Sequence, residues 1–598
     1  MRAVTGVRTW LVLLVRVWRV APVPVSIMAV VAWTAAVLPG LQVALTAQLV
    51  NAAIAVAQGD EAASGVLAPI IGIAVISIAI QLASSVVTYL GGVASLRFTT
   101  EAGVLVMTRG VATDLSAYED PDHYNALQRA VQETQSGRPF ALLTGFVQLV
   151  GSTLTLVSVG VALVSWNPLA AAIALLSPLP AAVVTTVFGR VGWQIQNERM
   201  EKRRETGYLQ WLTTNDQTFK EVAHFRLGAT LISRYRRLAD EFYRIDKRLL
   251  STSEAWLLGA NLIGAGGSVL ALYLAAGSPT QDVAGTLAAF LQALGSLSVT
   301  SRALLMGIAS THQNVLFAGN LFGFLDVPVR PRDDGTREFP AELAIGIEFR
   351  GVSFSYPGTD RRVLDRVSFV IPAGEFTAVV GANGSGKSTI VKLLARLYEP
   401  DEGVILVDGI DITSFDLDSL RRRMAIVFQD FVKYEFEVQE NIAFGRIGDP
   451  PSPEELGALL RRVGLDDAID GLPRGVATRL GRRFVHAEQL SEGQWQRLAI
   501  ARALISESSV LLLDEPAASL DNRAENSLVD MLVQSRPSAT RILITHSPAS
   551  ATAADGVLVM SGGRLQESGS PRELLDHDSA FSALMGPSRH ERIEEELS

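Results

Sequence analysis

Phe376-Thr-Ala-Val-Val-Gly381-Ala-Asn-Gly-Ser-Gly-Lys-Ser-Thr389-Ile-Val-Lys-Leu-Leu-Ala-Arg-Leu397 decides the reading of this chain. An apolar run, a glycine-rich loop and a helix-compatible run follow one another, which is the context a phosphate-binding loop requires. Glycines let the backbone curl so that successive N–H groups point inward at phosphate oxygens. The first turn of the following helix adds unpaired donors and the positive end of its dipole. Gly381, Asn383, Gly384, Ser385, Gly386, Lys387, Ser388 and Thr389 are therefore the candidate phosphate cradle. Lys387 is expected to reach the β- and γ-phosphates of ATP, and Ser388 to hold Mg²⁺.

Outward from that loop the composition is uneven. The chain has 598 residues, of which 48% are hydrophobic and only 19% charged. Charges crowd the second half, and long uncharged stretches fill the first. No charge occurs over 21–58, 62–96, 139–189, 255–281 or 283–301. A membrane-spanning helix needs about 20 apolar residues, and the 139–189 stretch is long enough for two, turning at Trp166-Asn167-Pro168. Six spans are expected, near 22–55, 66–96, 139–165, 168–189, 255–276 and 283–306. Segments following spans one, three and five lack Lys and Arg, whereas those following two and four carry Arg97, Arg109, Arg129, Arg199, Lys202, Arg203 and Arg204 among others. The positive-inside rule then places both termini and the two long loops in the cytoplasm. Those loops read as spans continued below the bilayer, joined by turn-like segments near Asp120–Leu127 and Leu209–Asp216.

Residues 1–20 read as an amphipathic helix on the inner membrane surface, with Arg8, Arg16 and Arg19 on one arc. A signal peptide is the rival reading, but no clear cleavage site follows. Pro39-Gly40 is expected to kink the first span. Gln42, Gln48, Asn51, Gln81 and Gln148 either line a substrate path or bond neighbouring helices. The segment 326–345, rich in proline and charge, is the expected linker, 346–585 the soluble nucleotide-binding domain and 586–598 an acidic tail. A net charge of −9 argues against a nucleic-acid partner, and the absence of cysteine excludes disulfides, thiolate metal sites and a cysteine nucleophile.

Beyond the loop, short apolar strands alternate with helical patterns, the sign of an α/β domain. Ser509-Val-Leu-Leu-Leu-Asp514-Glu515 reads as a buried strand ending in two carboxylates. One can hold Mg²⁺ and the next can orient and deprotonate water; taken alone, the pair is also compatible with a charged turn. Gln429 closes the strand Met424–Gln429, where its amide can bridge Mg²⁺ and water, and His546 follows the strand Arg541–Thr545. That histidine can donate to a γ-phosphate or serve only structure. Tyr356 can stack on adenine or sit in a Tyr-Pro-Gly turn. Leu490-Ser491-Glu492-Gly493-Gln494 opens a helix and offers a second anion-binding turn, intelligible if it serves a nucleotide held by another copy.

With these pieces in this order, the chain resembles ATP-binding cassette half-transporters of the exporter fold: an all-α six-helix membrane domain, then an α/β P-loop ATPase. The resemblance implies that Gly381–Thr389 is Walker A and Val510–Glu515 Walker B, with Glu515 as base and Asp514 as metal ligand. Tyr356 then matches the A-loop, Gln429 the Q-loop, His546 the switch histidine, Ala518–Asp521 the D-loop, and Leu490–Gln494 the signature. It further implies ATP and Mg²⁺ sandwiched between two cassettes, so the partner is a second half-transporter chain, identical or related. The segments near Tyr124 and Asn215 would be coupling helices. The implied setting is the bacterial inner membrane, and the implied activity is ATP-driven export of a peptide, lipid or other amphipathic compound. Import of siderophores and a regulatory membrane ATPase are the alternatives; an added substrate or receptor domain would mark them, and neither is expected. The signature carries Glu492 where the family usually has glycine; its side chain is expected to point away from phosphate.

Overall fold

The computed structural model describes residues 7–59, 62–277, 283–328, 335–516, 529–531, 538–577 and 579–585. Contacts divide the chain into two units: Met1–Ala112 with Asn125–Val327, and Thr113–Tyr124 with Pro328–Ser598.

Among the described residues, six helical stretches of the first unit are long and apolar enough to cross a membrane: Pro22–Gln58, Ser64–Val111, Arg138–Val164, Pro168–Gln196, Gly228–Ala276 and Val283–Ile308. The second and fifth continue far past the uncharged residues, as helices Leu67–Val111 and Gly228–Ala276. The turn between spans three and four is built by Asn167, whose side-chain oxygen accepts from the Leu169 and Ala170 N–H groups while its amide donates to Leu274 O at 3.1 Å.

The first span is interrupted at Ala36 and Val37, the turn just before Pro39-Gly40, which lie in the first turn of the helix Leu38–Gln58. Proline is tolerated in a first turn because its missing N–H would have no partner there. The Ala36 carbonyl accepts instead from Thr155 Oγ1 at 2.9 Å. A second interruption, at Ser177 and Pro178, divides span four. Two of the candidate path residues bond other helices, whereas Gln148 donates to Ser152 Oγ in its own helix at 3.4 Å. Asn51 Oδ1 accepts from Gly285 N at 3.0 Å, and Gln42 donates to Ser77 Oγ at 3.3 Å. Gly285 has no room for a side chain, since a Cβ would lie 2.1 Å from Asn51 Oδ1.

Residues Val7–Val20 form the expected amphipathic helix. Its inner stripe, Leu13, Leu14 and Val17, is buried in the same cluster as Met28, Phe98 and Phe322. Leu11, Val12, Val15 and Trp18 form its exposed apolar side. The helix therefore packs into the bundle instead of only lying on lipid. Arg16 pairs with Asp326 at 2.6 Å.

The helices break at Asp120 and Asn215, inside the two expected turn-like segments, and a short helix lies beside each break. A short helix, Leu115–Glu119, precedes Asp120, whose carboxylate accepts from Asp122 N at 3.0 Å and starts the next helix at Pro121. The other, Asp216–His224, follows Asn215, which caps it through Gln217 N. Short polar caps, not the apolar pattern, set these boundaries. Leu115 packs against the apolar core of the second unit.

The second unit holds two sheets. One is antiparallel, in the order β2 (Arg362–Pro372), β1 (Gly346–Ser355), β4 (Glu402–Val407), β5 (Ile410–Asp411). The other runs β10 (Arg564–Gly569), β9 (Gly556–Ser561), β3 (Phe376–Gly381), β8 (Thr540–Ile544), β7 (Val510–Asp514), β6 (Met424–Val427). Strands β3, β7 and β8 are buried at every position, as strands of a parallel sheet covered on both faces are. A helical cluster around Trp495 and the helix Glu492–Leu504 completes this unit.

Candidate active site

Parallel pairing decides which residues meet. Val379 is in register with Ile544, and Asp514 with the same Ile544. The carboxyl ends of β3, β8, β7 and β6 thus share one edge, and the residues just beyond them converge there. Ligands of open α/β sheets bind at this edge.

The loop after β3 has positive φ at Gly381 (150°), Gly384 (76°) and Gly386 (101°). At Gly381 a Cβ would approach Met560 O to 2.2 Å, and at Gly386 it would meet Leu364 Cδ2 at 2.6 Å. Only glycine fits either position, so the curl that turns N–H groups inward is written into the residue type. Asn383 is exposed on the loop and Ser385 is buried, with its Oγ unbonded. Lys387 opens the helix Lys387–Leu394 and is only 5% exposed. Its ammonium donates to Gly381 O at 2.9 Å and Ala382 O at 3.1 Å. Burial lowers its pKa, against the opposing pull of Glu515 and Asp514.

Asp514 ends β7 and is 3% exposed. Burial raises its pKa; Ser388, hydrogen-bonded to its carboxyl, works the other way, and the charge of Glu515 adds to the rise. Its Oδ1 is buried with no hydrogen-bond partner. A hydroxyl and an unsatisfied carboxylate oxygen side by side are the ligand chemistry of a hard divalent cation.

Glu515 adopts a left-handed backbone, φ 50°, rare for a residue with a side chain. Such strain persists where the surroundings impose it; here Glu515 N donates to Ile544 O at 3.0 Å. The carboxylate is held from two sides. Gln429 Nε2 donates to Oε2 at 2.9 Å, and His546 Nε2 lies 3.2 Å from Oε1. Strands β6, β7 and β8 therefore deliver one residue each to a single cluster.

Tyr356 joins the loop through Thr389: the hydroxyls are 3.1 Å apart. Its ring stands edge-on to Phe354 and Tyr398, with Lys392 Nζ 4.9 Å from its centroid. The sequence held no sign of Lys392 in that role; helical spacing from Ser388 is its only hint.

Ser491, Gly493 and Gln494 sit elsewhere, at the start of the helix Glu492–Leu504. Ser491 and Gln494 form a reciprocal capping box, Ser491 N to Gln494 Oε1 at 2.8 Å and Gln494 N to Ser491 Oγ at 3.3 Å. Glu492 turns to Lys433, Nζ to Oε2 at 2.5 Å. Lys433 went unnoticed in the sequence because it lies 59 residues before its partner. Asp521 lies outside the described residues.

This edge brings together a curled glycine loop, cation-type ligands and a bracketed carboxylate, the chemistry that nucleotide hydrolysis calls for. A family model described as ABC transporter matches residues 364–518. An ATP-dependent lipid A-core flippase of Xylella fastidiosa (strain 9a5c) is 34% identical over 467 residues, 76% of this chain and 76% of that protein. The subtilin transport ATP-binding protein SpaT of Bacillus subtilis is 28% identical over 543 residues, 90% of this chain and 87% of its own. The nisin transport ATP-binding protein NisT of Lactococcus lactis subsp. lactis is 28% identical over 534 residues, 88% of this chain and 89% of its own. The chain belongs to the ATP-binding cassette transporters. It is an ATP-hydrolysing, multi-pass membrane exporter.

Proposed function

We propose that this chain works as one half of a transporter, pairing with an identical or related cassette chain so that its signature turn completes the partner's nucleotide site. One phosphate cradle already serves the chain's own ATP, and the Ser491 helix start is a second, separate anion-binding turn. A helix N-terminus offers a phosphate both N–H donors and dipole charge. The single observation carrying the hydrolytic reading is Glu515 held between Gln429 and His546.

In this mechanism Tyr356 stacks on the adenine. Gly381, Asn383, Gly384, Ser385, Gly386 and Thr389 wrap the phosphates with backbone and hydroxyl donors. Lys387 releases its two carbonyl partners to reach the β- and γ-phosphates. Ser388 and Asp514, with Gln429 nearby, would hold Mg²⁺, which when bound neutralises charge building on the phosphates. Glu515 orients the attacking water and takes its proton. His546 donates to the γ-phosphate, and its contact with Glu515 keeps the ring at the site. Asp521 completes the contact with the second cassette.

The cargo is read as an amphipathic peptide or lipid, moved outward across the bacterial inner membrane, with both termini cytoplasmic. Relatives named for subtilin, nisin and lipid A-core transport support this class. Reconstitution in liposomes tests the reading. Lantibiotic-type peptide or fluorescent lipid should raise ATP turnover and accumulate opposite the cassette. Accumulation on the cassette side would reverse the direction, and turnover indifferent to both cargoes would exclude this substrate class.

A further inference from the structure

The signature turn of this chain carries a carboxylate at the first position of the helix Glu492–Leu504. A negative charge there suits the helix dipole but opposes any anion the turn receives. The structure shows how the conflict is resolved. Glu492 is 56% exposed, and its Oε2 is held at 2.5 Å by the Lys433 ammonium, itself 39% exposed. Lys433 lies four residues after Gln429, whose amide holds Glu515. The same segment is also gripped by the far end of the signature helix. Arg502 donates to Val432 O at 3.4 Å and lies 4.5 Å from the Tyr434 ring centroid, and it fastens Asn441 through Oδ1 at 2.9 Å. Both ends of the helix are thus tied to residues 432–434, one by an ion pair and the other by a half-buried guanidinium.

We propose that Lys433 is a positioning residue for the signature turn: it cancels the Glu492 charge, draws that side chain off the phosphate path, and fixes the turn to the segment that begins at Gln429. The inference rests on the paired-cassette reading above. An exposed ion pair adds little to stability. Its consequence is for the anion: with Lys433 removed, a bare carboxylate stands at the entrance of a helix N-terminus meant for phosphate. Charge at such a position acts first on nucleotide affinity, so KM for ATP moves more than kcat.

The test is a double-mutant cycle on the full-length protein in liposomes, with Mg-ATP as the ligand. Lys433→Met is expected to raise KM for ATP about tenfold, within the range of coupling found between contacting residues. Lys433→Arg keeps the charge and should stay within about twofold of the parent. In a Glu492→Gly background, Lys433→Met should shift KM less than about twofold, because no carboxylate remains to be cancelled. An equal KM penalty in both backgrounds, or none in either, overturns the proposal. Both side chains are partly exposed, so folding is not at stake; Lys433→Gln repeats the comparison should Lys433→Met not be recovered from membranes. Glu515→Gln separates this from the underlying reading. If it hydrolyses at the parental rate, the active-site assignment fails. If it is inactive while the cycle is additive, only the role of Lys433 fails.

Discussion

Glu515 Oε1 lies 3.2 Å from His546 Nε2, and its other oxygen accepts from Gln429 at 2.9 Å. A carboxylate bracketed by one residue from each neighbouring strand has little rotational freedom.

Loss of that carboxylate is the first prediction. Glu515→Gln keeps the shape and one of the two acceptor oxygens but cannot take a proton. Turnover should fall by about 10²–10⁴, the usual share of a general base. Equilibrium binding of Mg-ATP should persist. Steady-state ATPase and nucleotide-binding assays check the two halves separately.

His546→Ala removes the group against Oε1 while leaving Glu515 in place. The base remains but is less firmly held, so the loss should be smaller, about 10–100-fold in kcat. A loss equal to that of Glu515→Gln would show that the two act as one unit. The ratio of the two variants' kcat values is the measurement.

Lys387→Ala deletes a charge that is buried and aimed at the loop carbonyls. A hydrogen bond to a charged group is worth about 1.5–3 kcal/mol, so ATP affinity should drop by roughly 10–150-fold. Titration with a fluorescent ATP analogue reads this directly.

Asp514 gives a pH prediction. Burial raises its pKa in the folded chain, so the folded state binds this proton more tightly than the unfolded state. Its contribution to stability is greatest at low pH, below the unfolded pKa, and is lost as pH rises through the folded pKa. Asp514→Asn should therefore melt higher than the parent at neutral pH without nucleotide or Mg²⁺. The gap should narrow on acidification. Thermal melts of the detergent-solubilised protein across that pH range check the sign.

Gly285→Leu tests the membrane bundle. A Cβ alone would meet Asn51 Oδ1 at 2.1 Å and Ala47 O at 2.5 Å. Overpacking of this kind costs about 1–3 kcal/mol. Gly92 has nothing within 4 Å of its Cβ position, so Gly92→Ala is the matched control. It should melt at or slightly above the parent, since alanine is the better helix former.

Much of this was legible because it is local. Gly381, Gly384 and Gly386 announce a curled loop by residue type alone, and the apolar runs before Asp514 and His546 announce buried parallel strands. Spans could be counted because lipid tolerates no charge over about 20 residues. The kink expected at Pro39 is local too: the interruption lies at Ala36–Val37, the turn that the proline ring and its missing N–H disrupt. Asp120 and Asn215, inside the two turn-like segments legible in the sequence, break the helices there through side-chain caps.

Sequence alone determined the order of the machinery: a six-span membrane half, a phosphate loop, a second anion-binding turn, and a strand ending in two carboxylates. Each is carried by neighbouring residues whose chemistry or period speaks without the rest of the chain. Tertiary structure alone decided the partnerships, Gln429 and His546 with Glu515, Asn51 with Gly285, and Lys433 with Glu492. Their members lie tens to hundreds of residues apart, and only strand register and helix packing bring them to within hydrogen-bond reach.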